Sequence, residues 1–265
     1  MKQAQQKTAV LSWLKQRWPL HYQASWDNSG LLLGEAEKPI NSVLIALDAT
    51  TAVVEEAVEA GVDLLLTHHP IIFSGLKSLT DERPDTAKLL RLAQRGIASY
   101  AMHTNFDCVD MGRICAAPLH LQNSRVLEEI GTEEDGRAYG YGLIGELIEK
   151  KTVAEVGMLL RTAFGLDQLR LFGEADRQVS RIAILPGSGR HSVEAAVQKG
   201  AELFISGDIG HHEGLDACEE QMAVLDAGHY GLEQCFIRYV AEELRQAFPQ
   251  LRVIETRSRA PLRLV

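Results

Sequence analysis

The sequence predicts an α/β protein of two similar domains, an internal duplication, in which mostly parallel sheets are flanked by helices and a metal site lies in the interdomain cleft. Three observations lead there. Short, continuously apolar runs alternate with helical patterns, and strands apolar on both faces belong to parallel sheets covered by helices. Residues 54–67 align without gaps on 193–206, with identities at 54/193, 55/194, 57/196, 58/197, 61/200 and 64/203. A His-X3-acid unit also recurs, as His103 with Asp107 and His229 with Glu233, each just after an apolar run.

The elements follow in order. Residues 8–18 place Val10, Leu11, Leu14 and Trp18 on one helical face, and Lys15 and Arg17 make the stretch an amphipathic helix rather than a signal peptide. A strand is predicted over 42–48, then a helix capped by Thr50 or Thr51 and ended at Gly61. A strand over 63–67, a helix over 85–96 and a strand over 97–102 complete the first half. The acidic, glycine-containing stretch 123–138 marks the expected boundary. The domains are therefore 1–125, carrying His68, His69 and Asp107, and 126–265, carrying His229 and Glu233. The second domain is predicted as strand 139–148, helix 152–164, strands 168–171 and 181–185, helix 192–199, and strands 202–206 and 223–226. A last helix, 232–247, aligns Leu232, Phe236, Val240 and Leu244.

Composition narrows the function classes. The net charge of -9, with Lys and Arg scattered, argues against a nucleic-acid-binding protein. No run approaches the roughly 18 apolar residues that a membrane span needs. Cys108, Cys115, Cys218 and Cys235 show no C-x-x-C spacing, which fits free thiols and a cytoplasmic protein.

The chemistry gathers at strand ends, where the binding crevices of parallel sheets form. Neighbouring residues in a strand point to opposite faces, so His68 and His69 serve one centre only where the pleat stops, before Pro70, or where two ions lie side by side. His229 and Glu233 stand four residues apart at a helix start and share one face. Glu233 has two oxygens with which to bridge two ions, and Asp107 would be the second carboxylate. Such a set, around one ion or two, leaves positions open to water, as a catalytic centre does and a closed structural site does not. Mixed nitrogen and oxygen ligation suits zinc, iron, manganese or nickel. His103 is assigned either to supporting the ligands from behind or to proton transfer, the latter as a candidate catalytic residue. For substrate, the loop Gly187, Ser188, Gly189 and Arg190 joins a strand to a helix start, where backbone N–H groups bind anions, and Lys77 could meet a phosphate.

These residues resemble a known family. Trp26-Asp27-Asn28-Ser29-Gly30-Leu31-Leu32-Leu33-Gly34, Thr67-His68-His69-Pro70-Ile71-Ile72-Phe73, His103-Thr104-Asn105-Phe106-Asp107, Ser206-Gly207-Asp208 and Gly228-His229-Tyr230-Gly231-Leu232-Glu233 occur in the order of the NGG-interacting-factor-three-like family, also called GTP cyclohydrolase I type 2 homologs. The similarity runs from about residue 5 to 250. It implies two similar α/β domains, two divalent metal ions per chain on His68, His69, Asp107, His229 and Glu233 with the glutamate shared, and a toroidal homohexamer built as a trimer of dimers. It departs at Cys108-Val109-Asp110-Met111-Gly112, where small residues are usual, and at Leu232, where a small hydroxyl residue is common. The expected function is a metal-dependent hydrolase of a small nucleotide, heterocyclic or phosphorylated substrate. The alternative is a non-catalytic metal-delivery or regulatory binding protein.

Overall fold

The computed structural model describes residues 9–262. Its contacts separate two compact units: one built from residues up to Phe106 and from Phe236 onward, the other from Asp107–Cys235. The stretch 123–138 does not divide the chain as expected. It carries most of one strand of a hairpin, so 107–125 joins the second unit and 236–265 returns to the first.

Before Phe106 the chain forms β1 (Gly30–Leu33), β2 (Ser42–Ala46), β3 (Leu64–Thr67) and β4 (Ala98–Ala101). The second unit forms β5 (Gln122–Thr132), β6 (Ala138–Thr152), β7 (Arg170–Phe172), β8 (Gln178–Ser188), β9 (Leu203–Gly207) and β10 (Ala223–Asp226), and the returning chain adds β11 (Arg252–Glu255). Among the described residues, the first unit's sheet has the order β1-β4-β3-β2-β11 and the second unit's β5-β6-β8-β9-β10-β7.

The first sheet is mostly parallel, as expected: β11, β2, β3 and β4 run together and only β1 opposes its neighbour. The second sheet is mixed. β8, β9 and β10 are parallel, whereas β5, β6 and β7 pair antiparallel. For β5 and β6 the cause is connection length: a short turn after β5 reverses the chain, and antiparallel strands need no crossover helix. Within each sheet a matching core recurs. The order β1-β4-β3-β2 has the same directions as β7-β10-β9-β8, strand for strand in chain order.

Local chemistry explains the helices that link these strands. The hydroxyl of Thr50 accepts from Val53 N at 3.2 Å, capping the helix Thr51–Ala60, and Gly61 closes it at a φ of +56°. Thr152 and Glu155 form a reciprocal capping box ahead of Val153–Phe164. The predicted N-terminal helix is present as Ala9–Arg17 and buries Val10, Leu11 and Leu14, while its expected start at Thr8 lies outside the described residues. The predicted 232–247 helix is two: His229–Glu233, then Cys235–Ala247, which buries Phe236, Val240 and Leu244. On one face of each sheet a core gathers Leu44 and Leu65 with Leu92 of a helix in the first unit, and Ala183, Phe204 and Val224 in the second; the central strands are buried at every residue, so their other faces are covered too. Each fully buried aliphatic or aromatic residue contributes roughly 1.5–3 kcal/mol. Among the described residues no helix is long and apolar enough to cross a membrane.

Candidate metal centre

In the first unit the site grows from the carboxyl ends of three adjacent parallel strands. Past β2 stands Asp48, past β3 His68 and His69, and past β4 His103. β3 stops at Thr67, and the Thr67 hydroxyl donates to the His69 carbonyl at 2.8 Å, folding the chain on itself. That local turn ends the pleat, and both histidines come to the same place. Their ring centroids are 4.9 Å apart, and the His103 ring lies 5.2 Å from His68 and 5.4 Å from His69. One ligand atom from each of the three lies within 4.8 Å of the others.

Each imidazole is oriented by a partner on Nδ1. His68 Nδ1 is 2.7 Å from the Met102 carbonyl, His69 Nδ1 2.8 Å from Asp48 Oδ1, and His103 Nδ1 2.8 Å from Asp27 Oδ1. A carbonyl or carboxylate can only accept, so the proton sits on Nδ1 and Nε2 carries the lone pair. Asp27 is the most engaged of these partners. Its side chain is fully buried, and it also accepts from Thr104 N, the Thr104 hydroxyl and the Ser29 hydroxyl. Burial alone would raise its pKa, but the hydrogen bonds from His103, Thr104 and Ser29 outweigh burial and hold the carboxyl well below its usual range.

The second unit brings together the other three expected ligands. Asp107 opens a π-helical turn, Asp107–Met111, a local widening often found at functional sites. One of its carboxylate oxygens lies within 4.8 Å of one from Glu233. His229 and Glu233 span the short helix His229–Glu233, as their spacing predicted, with Nε2 and Oε2 2.9 Å apart. His229 Nδ1 faces Asp208 Oδ2 at 2.9 Å, and Asp208 holds a left-handed φ of +56° that a non-glycine residue rarely adopts. With Nδ1 occupied, His229 Nε2 and the buried carboxylate are two electron-rich atoms that repel unless a proton or a cation lies between them. These imidazoles and carboxylates form groups that could hold a metal ion.

The expected substrate residues are placed unevenly. Gly187 lies against the ligands: a Cβ built on it would stand 2.4 Å from Glu233 Oε1 and 3.8 Å from His229 Nε2. Gly189 packs over Ser206, Ser188 is exposed at the end of β8, and Arg190 pairs with Glu213 at 3.7 Å. Lys77 is exposed on the loop after the histidine pair. The cysteines are free, as expected. Burial, then the Asp107 charge, pushes the Cys108 thiol up to about 12.

Sequence reasoning passed over Asp48, the Met102 carbonyl and the π turn. A signal for the carboxylate partners existed: Asp48 precedes His69 by 21 residues, and Asp208 precedes His229 by 21.

Residues 6–261 match the family described as Duf34/NIF3 (NGG1p interacting factor 3). The chain is 36% identical over 235 residues to a GTP cyclohydrolase 1 type 2 homolog of Streptococcus pneumoniae, covering 86% of each chain. It is 32% identical over 237 residues to a protein of the same name from Clostridium perfringens, covering 86% of this chain and 87% of that one. Its fold matches the crystal structure of a Bacillus cereus protein related to NIF3, with a TM-score of 0.87 at 22% identity over 98% of this chain and 99% of that one.

Proposed function

The chain belongs to the Duf34/NIF3 family, and on that premise we propose that it is a dinuclear metal-dependent hydrolase of a small nucleotide, heterocyclic or phosphorylated substrate, of the kind its relatives' name, GTP cyclohydrolase 1 type 2 homolog, describes. The ligands are His68 and His69 from the first unit and Asp107, His229 and Glu233 from the second, with Glu233 shared between two ions. The observation that carries the reading is that His68, His69 and His229 each face a hydrogen-bond acceptor on Nδ1, the arrangement that orients a metal-ligating histidine. The matching cores of the two sheets support an internal duplication.

Bound divalent ions would lower the pKa of water and polarise a carbonyl or phosphoryl oxygen. The chain's own residues do the rest. Asp48 and Asp208 fix the rings of His69 and His229, while Asp27 fixes His103 and stabilises it when it takes up a proton on Nε2. Gly187 keeps the space beside Glu233 clear, and Lys77 and the 187–190 loop offer contacts to a substrate phosphate. The same reading includes assembly as a trimer of dimers.

The test is metal content per chain by elemental analysis of protein purified without added metal, beside Glu233→Ala. Two ions in the parent, both lost or weakened in the variant, are expected, followed by metal-dependent turnover on a nucleotide and phosphoester panel. Bound metal without turnover, and with rapid transfer to an apo acceptor protein, would replace the hydrolase by a metal-delivery protein. No bound metal would refute the centre itself.

A further inference from the structure

Two large aromatic side chains stand in water beside the first unit's histidines. Trp26 is 61% exposed and Phe73 51%. Their ring centroids are 6.1 Å apart and their planes within 19° of parallel. His103 meets both edge-on, at 5.8 Å from Trp26 and 5.7 Å from Phe73.

Neither ring sits on an unsupported tip. Trp26 directly precedes Asp27, whose buried carboxylate is held by His103, Thr104 and Ser29. Phe73 directly follows Ile72, whose carbonyl accepts from the Asn28 side chain at 2.7 Å. The hydrogen bond from Asn28 therefore ties the two aromatic-bearing segments together. Folding leaves two such rings exposed at the expense of the transfer free energy their burial would give. Exposed apolar area next to convergent polar groups is the composition of a small-molecule site.

We propose that Trp26 and Phe73 form a stacking wall for a planar nitrogen-heteroaromatic ring, of purine size, and present its edge to His103. Aromatic rings prefer offset stacking on a flat partner, so the wall favours a planar ring over a simple phosphoester. This assignment rests on the hydrolase reading of the adjacent histidines and names the part of the substrate that the chain grips.

Calorimetric titration of the full chain with guanosine and adenosine 5′-monophosphates, against ribose 5-phosphate, tests it, with and without added divalent metal. The nucleotides should bind and ribose 5-phosphate should bind at least tenfold more weakly. Trp26→Ala and Phe73→Ala should each weaken nucleotide binding roughly five- to a hundredfold, the range for one lost base–aromatic stack. Trp26→Phe should keep most of the affinity, and metal per chain and oligomeric mass should not change in any variant. Equal binding by the alanine variants, equal binding of ribose 5-phosphate, or no nucleotide binding would overturn the wall. So would a change of oligomeric mass in the alanine variants, which would assign this face to a second copy of the chain. Failure of the metal centre looks different: no metal is held, yet nucleotide binding still depends on Trp26 and Phe73.

Discussion

Replacing Gly187 by alanine puts two separable costs on the second unit. The first is conformational: Gly187 has a φ of +81°, where an L-residue loses roughly 1–2 kcal/mol. The second is steric, since the new Cβ would stand 2.4 Å from Glu233 Oε1, about an ångström inside ordinary contact. That oxygen is the far end of a flexible side chain, so the carboxylate swings away cheaply, but in doing so it takes its other oxygen, Oε2, from its place beside His229 Nε2. Gly200→Ala is the control, because Gly200 has a φ of +73° and nothing within 4 Å of the added Cβ. In chelator-treated protein both variants should lose about 1–2 kcal/mol and melt some 2–8 °C below the parent. Divalent metal at about 100 times Kd should add roughly 2.7 kcal/mol to the parent and to Gly200→Ala. In Gly187→Ala a tenfold or greater loss of affinity would leave about 1.4 kcal/mol or less. Thermal melts across a metal titration, read beside elemental analysis, give all of these numbers. Equal metal-induced shifts in the two variants would refute the claim that Gly187 keeps the Glu233 carboxylate in position.

Two further outcomes follow from the partners of the imidazoles. Asp48→Ala removes the acceptor on His69 Nδ1 and should weaken metal binding about 10–100-fold while the metal-free melting temperature barely moves, because Asp48 is half exposed; unchanged affinity in a competition titration against a chromophoric chelator would count against that role. Asp27 titrates below its ordinary value of 3.8 because its hydrogen bonds outweigh its burial, so its stabilisation is present above that value and is lost as pH falls toward the folded pKa. Asp27→Asn puts an amide NH2 among the Thr104 and Ser29 donors and should cost about 1–3 kcal/mol near neutral pH. The gap between parent and variant should narrow below about pH 4 in denaturant melts, and a gap that stays constant down to pH 2 would show that the carboxylate charge is not what matters.

The parallel heart of each sheet was legible in the sequence because strands such as Ser42–Ala46 and Leu203–Gly207 are buried at every residue. What was missed lies at the sheet margins. β1, β5 and β11 are all edge strands. β5 in particular is largely exposed and reads as a polar, acidic stretch, so its identity comes from the ladder with β6 and not from its own pattern. The same distinction holds at the site. His68, His69, His229 and Glu233 announce themselves by residue type and spacing at strand or helix ends. Asp48 and the Met102 carbonyl do not, because they act from neighbouring strands on residues 21 and 34 positions away. The π turn at Asp107 was invisible because one extra residue in a helical turn leaves little trace in hydrophobic periodicity.

The discontinuity of the first unit has a consequence for biosynthesis. β2 pairs with β3 on one side and with β11 on the other, and Ser42 and its partner Arg252 are separated by roughly 200 residues of chain. At translation speeds of about 5–20 residues per second, β2 waits on the order of 10–40 s on the ribosome with its outer edge unpaired. Throughout that interval the whole of Asp107–Cys235 emerges and can close its own sheet. An apolar strand with an open edge is the kind of surface that nascent-chain chaperones cover and that neighbouring nascent chains can capture. The helix Cys235–Ala247 and β11 thus act as the closing stitch of the first unit, and a ribosome that stalls before Phe236 would release a finished second unit joined to a first sheet still lacking its outer strand.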